Sequence, residues 1–472
     1  MKSNRTRGRF MRASFASLAL ACALALALAG DVRRVVVRAA GDGANSAESS
    51  ATREGRLRIF DEVWEQVRDR YFDPTMRGVD WQEARKSFRP RAAEARDESE
   101  LYSVLRLMLG ELRDPHTRVF APGESTDWRV QRYVSVGIAV RELAGGVVVT
   151  DVERDSEASL AGLRAGDEIV SIDGTQAETL VERMLAGQAA GDSKSARLLA
   201  VTRLFDGQRD TYVTVVFRRA GETRERTVVL QRETRTRKPS FEIRGERDGV
   251  RVVRFNLFTP EAAVEFARAL VGKLKGARAI VIDLRDNGGG EADAMADFAS
   301  TLLPAGVSLG RFTDREGRVR LEPTTRSVLL SSADSIARFH GRVVLLTNER
   351  TASAAEVFTA VMRESGRAVV VGEETCGCVL GIERRQQLPD GGVLDISETD
   401  YHTAAGERLE GAGLRPDIPA APTREDLRRR HDRALEMAEQ ILKGDDERKS
   451  DAAASSSVPV LRAPHADAEQ KH

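Results

Sequence analysis

Ser353 stands in the stretch TASAAE (351–356), where an apolar periodic segment begins. A serine there can act as a nucleophile, helped by the unpaired N–H groups of a helix's first turn, which favour a developing negative charge. It can equally be a plain helix cap, since Ser353 and Glu356 have the S-x-x-E spacing of a capping box. A second stretch, DLRDNGGG (283–290), ends an apolar run. Its three glycines allow close backbone approach and N–H groups aimed at an oxyanion, or else only a tight strand-to-helix turn. His116 lies in DPHT (114–117), and Glu410 precedes a glycine turn in RLEGAGLRPDI (408–418). Read alone, each is a solvated loop residue; either becomes a site residue only if the fold carries it to Ser353. No lysine lies between Lys275 and Lys443.

The cysteines are Cys22, Cys376 and Cys378. The last two are separated by one residue, a spacing that makes a strained ring, and no disulfide framework surrounds them. No further Cys or His stands near in a metal-ligand spacing. The pair is expected as small buried residues, and neither a metal nor another cofactor is expected.

Several kinds of element must position these residues. Phe60, Val63, Val67 and Tyr71 recur at helical spacing, as do Leu101, Leu105 and Leu109, so residues 56–130 read as a helical domain ending in the His116 turn. Residues 131–232 change to short strands: YVSVGIAV (133–140), GGVVVTDV (145–152), a strand inside GLRAGDEIVSIDG (162–174), and a terminal hairpin. Residues 188–209 are longer than such a module needs and read as an insertion. From 240 to 422 strands and helices alternate, which predicts a mixed or mostly parallel sheet covered by helices. The strands are expected at 250–257, 277–285, 341–348 and 367–374, and the helices at 259–274, 291–303 and 352–365. Residues 423–443 read as a charged helix, and 444–472 as a disordered tail. The fold class is multidomain α/β: an N-terminal helical segment, a β-rich module, and an α/β core with a mixed sheet.

The chain has 472 residues, and Lys+Arg and Asp+Glu both total 73, so nothing in its net charge points to nucleic acid. Residues 1–30 carry a basic start, an apolar run over 13–29 and a small-residue site at ALAG (27–30). They read as a secretory signal peptide, or else as an uncleaved anchor tethering the chain to a membrane. Residues 31–55 read as a linker. The protein is therefore expected outside the cytoplasm, periplasmic or otherwise envelope-associated.

The order of these motifs resembles the C-terminal processing (tail-specific) serine peptidases over roughly residues 56–420: a helical segment, a PDZ-like domain, then a core with an L-R-x-N-x-G-G turn and a T/S-A-S-A-x-E serine. GAGLRPD (411–417) supports the resemblance. It implies Ser353 as nucleophile and the backbone N–H groups of Gly289 and Ala354 as oxyanion hole. The family's usual base is a lysine in T-x-G-K-G; here that place reads TCGCV (375–379), with Cys378 at the lysine position. The tricorn-like branch instead uses a histidine from an earlier domain and a downstream glutamate. On that pattern His116 is the base and Glu410, 57 residues past Ser353, its orienting acid. The PDZ-like domain would hold a substrate's C-terminal end by strand addition, with Val136, Gly137 and Ile138 as carboxylate-binding loop. The expectation is an envelope serine endopeptidase acting on proteins or peptides. The alternatives are a catalytically inactive PDZ-bearing binder, and a site in which Cys378 is the nucleophile.

Overall fold

The computed structural model describes residues 50–443, apart from 125, 128, 187–193, 328, 332–333 and 336–337. The segment expected to target the chain or tether it to a membrane (1–30, with the apolar run 13–29) and the tail lie outside the described residues. No helix among those described is long and apolar enough to cross a membrane.

Three helices come first: α1 (Arg53–Arg70), α2 (Trp81–Glu94) and α3 (Glu98–Gly110). Thr52, Asp80 and Asp97 cap them, each side chain accepting an N–H of the first turn. Ile59, Phe60, Val63, Trp64 and Val67 form the buried stripe of α1, as the spacing predicts. This helical core also takes in Leu380, Leu394 and Ile396, from far down the chain. Directly after His116, Arg118–Phe120 pairs antiparallel with Val393–Asp395. The helical segment is thus joined to the core by both apolar packing and a strand ladder.

The β-rich module contains β1 (Ile138–Leu143), β2 (Gly146–Val152), β3 (Glu168–Ile172), α4 (Ala177–Ala186), α5 (Lys194–Thr202), β4 (Tyr212–Arg218) and β5 (Glu225–Gln231). Its sheet runs in the order β1-β2-β3-β4-β5. Strands β4 and β5 form the expected hairpin, with Tyr212 opposite Gln231. Part of the segment read as an insertion belongs to the module's core instead: Ala200, Val201, Leu204 and Phe205 are buried against its strands. Apolar residues at helical spacing, not loop length, decide that placement.

The α/β core follows: β6 (Phe241–Arg247), β7 (Val250–Phe255), α6 (Pro260–Val271), β8 (Ala279–Asp283), α7 (Ala292–Ser300), β9 (Arg342–Thr347), α8 (Ala354–Glu364), β10 (Ala368–Gly372) and β11 (Ile418–Pro419). Its six strands lie in chain order, β6 antiparallel to β7 and the rest parallel. This is the mixed sheet expected. Sequential right-handed crossovers place all connecting helices on one face. Accordingly α6, α7 and α8 pack on the face of Val253, Ile280, Ile282, Leu345 and Val370. The opposite face, with Val281, Val344 and Val371, needs another cover. Ala434, Ala438 and Leu442 supply it. The expected single charged helix is therefore two: α9 (Arg424–Arg429) stops at Arg430, whose φ of 55° ends the turn, and a second helix spans 433–443 with its apolar stripe on the sheet.

Candidate active site

In a parallel sheet the loops leaving the C-terminal ends of the strands share one edge, and that edge is where ligands bind. Three such loops meet here. β8 delivers DLRDNGGG, β9 delivers TNERTASAAE, and β10 delivers TCGCV. Asn287, fully buried, ties the first two: its carbonyl accepts the Ala352 N–H at 3.0 Å and its side-chain amide donates to Phe255 O at 3.0 Å. Thr351 Oγ1 donates to Leu284 O at 2.9 Å, a second tie between the same turns.

Ser353 heads α8 with φ 55° and ψ −127°. An ordinary N-cap sits in the extended region, whereas this backbone is in a sparsely populated one that costs on the order of 1–3 kcal/mol unless its surroundings hold it. They do hold it. The Ser353 N–H donates to Cys378 O at 2.8 Å and to Glu356 Oε2 at 3.0 Å. The Ser353–Glu356 pair thus has capping-box character, but the Glu356 N–H reaches the Ser353 carbonyl at 2.8 Å. The serine packs directly on the glycine turn. A Cβ built on Gly289, at φ +93°, would lie 2.6 Å from Ser353 Cβ and 2.9 Å from the Ala354 N, so only glycine permits this approach.

Of the two expected oxyanion donors, Ala354 is the first residue of α8, so its N–H has no intrahelical acceptor. The Gly289 N–H instead donates to Asn287 Oδ1 at 2.9 Å. An oxyanion would have to share or replace that bond.

Glu356 is fully buried and does more than cap. Its carboxylate accepts from Thr375 Oγ1 at 2.6 Å, Gly377 N–H at 2.7 Å and Cys378 N–H at 2.9 Å, besides Ser353. Burial pushes this carboxyl up, against the downward pull of those hydrogen bonds. The third loop is thereby fastened to the serine through one side chain.

Cys376 and Cys378 are joined by a disulfide, with a Cα–Cα distance of 5.2 Å. This corrects the expectation of an unpaired, merely space-filling pair. Gly377, at φ +70°, bends the three-residue arc until the two Cα atoms fall within the usual disulfide span. A disulfide sulfur has no titratable thiol, so in this form Cys378 is neither a base in the lysine's place nor a nucleophile.

His116 and Ser353 line one cleft of about 1180 Å³, together with Cys376, Cys378, Val379 and, from the β-rich module, Leu198, Leu199 and Thr202. No hydrogen bond joins His116 to Ser353 or to Glu410 among the described residues. His116 Nδ1 is buried without a hydrogen-bond partner. The nearest acid is Asp114 Oδ1, at 3.6 Å. Asp114 is fully enclosed, yet its carboxyl lies below the usual range: burial raises it, and the neighbouring His116, Ser397 and Thr117 more than offset that. Sequence reasoning missed Asp114, although it sits two residues before His116 in the same turn.

Glu410 does not touch the imidazole. Its Oε2 accepts the Val379 N–H at 2.9 Å and its Oε1 pairs with Arg77 Nη1 at 3.2 Å. Burial pushes its carboxyl up to about 7, with the Val379 N–H, Arg77 and His116 pulling down and Asp114 pushing up. Arg77 was not foreseeable, since 333 residues separate it from Glu410.

In the β-rich module, Val136 and Gly137 are buried and Ile138 half-buried. The Gly137 N–H donates to Ser135 Oγ at 3.0 Å and its carbonyl accepts the Glu153 N–H at 2.9 Å. Strand β1 is an edge of its sheet, and its Val140 carbonyl accepts from Arg350 Nη2, in the serine's own loop, at 2.7 Å.

Comparison with known proteins gives the same parts in the same order. Residues 249–420 match the model of peptidase family S41, residues 53–110 the Tricorn protease C1 domain, and residues 134–203 the PDZ domain. The carboxyl-terminal-processing protease of a Picosynechococcus species is 28% identical over 374 residues, covering 76% of this chain and 83% of the relative. The chloroplastic C-terminal processing peptidase of Tetradesmus obliquus is 29% identical, covering 77% of each. Among solved structures, the photosystem II D1 C-terminal processing protease superposes with a TM-score of 0.51 at 26% identity, covering 78% of this chain and 94% of its own. Mature CPAF superposes with a TM-score of 0.62, covering 83% and 97%; at 16% identity it speaks for the fold alone.

Proposed function

We propose that this chain is a serine-type peptidase of the C-terminal processing kind, as the match of residues 249–420 to peptidase family S41 and the 28% identical carboxyl-terminal-processing protease support, and that it cleaves proteins or peptides with Ser353 as nucleophile and His116, not a lysine, as base. The observation that carries this is the backbone of Ser353. It is held at φ 55° against a glycine that admits no side chain, on the wall of a cleft that His116 shares. A mere cap has no need of that conformation, which argues against the reading as an inactive binder.

In this mechanism Nδ1, facing Asp114, carries the ring proton, and Nε2 is left to take the Ser353 hydroxyl proton as Oγ attacks the scissile carbonyl. The same proton then goes to the leaving amine. Oxyanion charge develops beside the Ala354 N–H and, once Asn287 yields it, the Gly289 N–H. Asp114 stabilises the imidazolium from 3.6 Å. Glu410 adds negative field and holds the Val379 backbone; the direct orienting role expected for it passes to Asp114. His116 and Ser353 close to hydrogen-bond distance when substrate fills the cleft, as sites that tighten on binding do.

The PDZ domain engages the substrate's C-terminal end by adding it as a strand along β1, which requires the Arg350–Val140 bond to open. The protein works outside the cytoplasm. The composition of residues 1–30 supports that location, and so does a disulfide in the core, which persists in oxidising compartments.

The test is labelling by a fluorophosphonate probe together with cleavage of an unfolded protein. Wild type should react and Ser353→Ala should not; His116→Ala should fold and lose turnover. A folded wild type inert to both assays overturns the proposal, and an active His116→Ala overturns the base assignment.

A further inference from the structure

The arc Cys376–Gly377–Cys378 is closed by a disulfide, and almost all of its backbone polar groups are spent on the proposed site. The Cys376 N–H donates to Thr351 O at 3.0 Å. The N–H groups of Gly377 and Cys378 donate to Glu356 at 2.7 and 2.9 Å. Cys378 O accepts the Ser353 N–H at 2.8 Å, and Gly377 O accepts the N–H of Gly411, the neighbour of Glu410, also at 2.8 Å. The next N–H along, that of Val379, goes to Glu410 itself. Both cysteines line the cleft beside Ser353 and His116, at 9% and 5% exposure, so the cleft is the route by which a small thiol would reach the bond.

We propose that Cys376–Cys378 is a thiol–disulfide exchange site that couples peptidase activity to dithiols, active when oxidised and impaired when reduced. The inference rests on the peptidase reading above. A thiolate of the reductant attacks one sulfur of the pair, and the other leaves as a thiolate that takes up a proton. The reductant's second thiol then displaces the mixed disulfide. The cysteines gain two electrons and two protons, and the dithiol leaves as its own cyclic disulfide. The natural reductant is a protein dithiol or a small dithiol of the compartment.

The physical reason for the coupling is conformational freedom. Gly377 sits at φ +70° in the middle of the arc, and glycine has more backbone states to return to than any other residue. Opening the ring releases those states at the segment that holds the Ser353 N–H and, through Glu356 and Glu410, the rest of the site. The chain-entropy treatment gives roughly tenfold for closing so short a ring in a free chain, an upper measure of what opening it can release at the site. Of the chain's three cysteines, the third is Cys22 in the N-terminal segment, so the chemistry is selective for this pair.

The experiment uses the full chain. Peptide hydrolysis and fluorophosphonate labelling of Ser353 are measured before and after treatment with dithiothreitol, with released thiols counted by maleimide and the fold followed by circular dichroism. Release of two thiols, a fall in kcat/KM of fivefold or more with the fold retained, and recovery on reoxidation support the proposal. The Cys376→Ser/Cys378→Ser protein should show the reduced level of activity without dithiothreitol and no response to it. A smaller fall, a double variant that still responds, or unfolding on reduction overturns the proposal, the last because the bond would then be only a staple of the fold. An oxidised protein inert to the probe sinks the peptidase reading instead, so the two failures are distinguishable.

Discussion

Glu410→Gln isolates the electrostatics of the site. The glutamate is 7% exposed and its carboxyl is pushed from 4.5 up to about 7, chiefly by burial. Below pH 4.5 the folded and unfolded chains both hold the proton. Between 4.5 and 7 the unfolded chain releases it while the folded chain keeps it, so stability falls as pH rises through that window. Above 7 the loss is complete, at roughly 3 kcal/mol for a shift of this size. Glutamine keeps an acceptor for the Val379 N–H and has nothing to titrate. Any constant penalty from leaving Arg77 without its partner cancels when two pH values are compared. The stability of Glu410→Gln relative to wild type should therefore increase by roughly 2.5 kcal/mol between pH 5 and pH 8, read from denaturant unfolding of the two proteins side by side. The same ionisation should add a step near pH 7 to the rising limb of wild-type kcat/KM, and that step should be missing from the limb of the glutamine variant. A stability difference flat to within about 0.5 kcal/mol, the spread seen for ordinary surface substitutions, would refute the reasoning: Glu410 would then titrate alike in both states, and the burial argument would fail.

Two further substitutions probe the geometry. Gly289→Ala puts a Cβ 2.6 Å from Ser353 Cβ and 2.8 Å from Ala352 O at a φ of +93°; it should lower stability by about 1–3 kcal/mol and suppress fluorophosphonate labelling, and labelling at the wild-type rate would show that this contact does not shape the serine. Asp114→Asn removes the charge facing His116 Nδ1 and should cut kcat on the order of 10²–10⁴-fold with KM little changed and an altered pH profile; a change in stability alone would leave Asp114 a structural residue.

Much of the fold can be read along the chain because its elements are local. Strand runs such as AIVID and helix stripes such as Phe60, Val63 and Val67 declare themselves by periodicity, and the alternation of the two dictates a largely parallel sheet. From that follows the shared edge where the loops of Ser353 and the glycine turn must meet. The local signals failed where a neighbour decided: α5 reads as surplus length until the module's strands are there to bury Ala200 and Val201, and the 433–443 helix shows its purpose only against the bare face of the sheet.

By itself, then, the sequence determined the serine at a helix start, the glycine turn before it, and the absence of any lysine between Lys275 and Lys443, since these are matters of residue type and short spacing. Only the tertiary structure decided which partners they have. Asp114, not Glu410, faces the imidazole; Glu410 answers to Arg77 and Val379; Cys376 and Cys378 are bonded rather than merely adjacent. Arg77 meets Glu410 across 333 residues and Val379 meets it across 31, and the disulfide needs the positive φ at Gly377; the Asp114–His116 contact is local, but only packing keeps Glu410 off the imidazole. Burial and the polar neighbours that oppose it together set which carboxylate is charged, lowering Asp114 and raising Glu410, and no reading of spacing along one chain contains that balance.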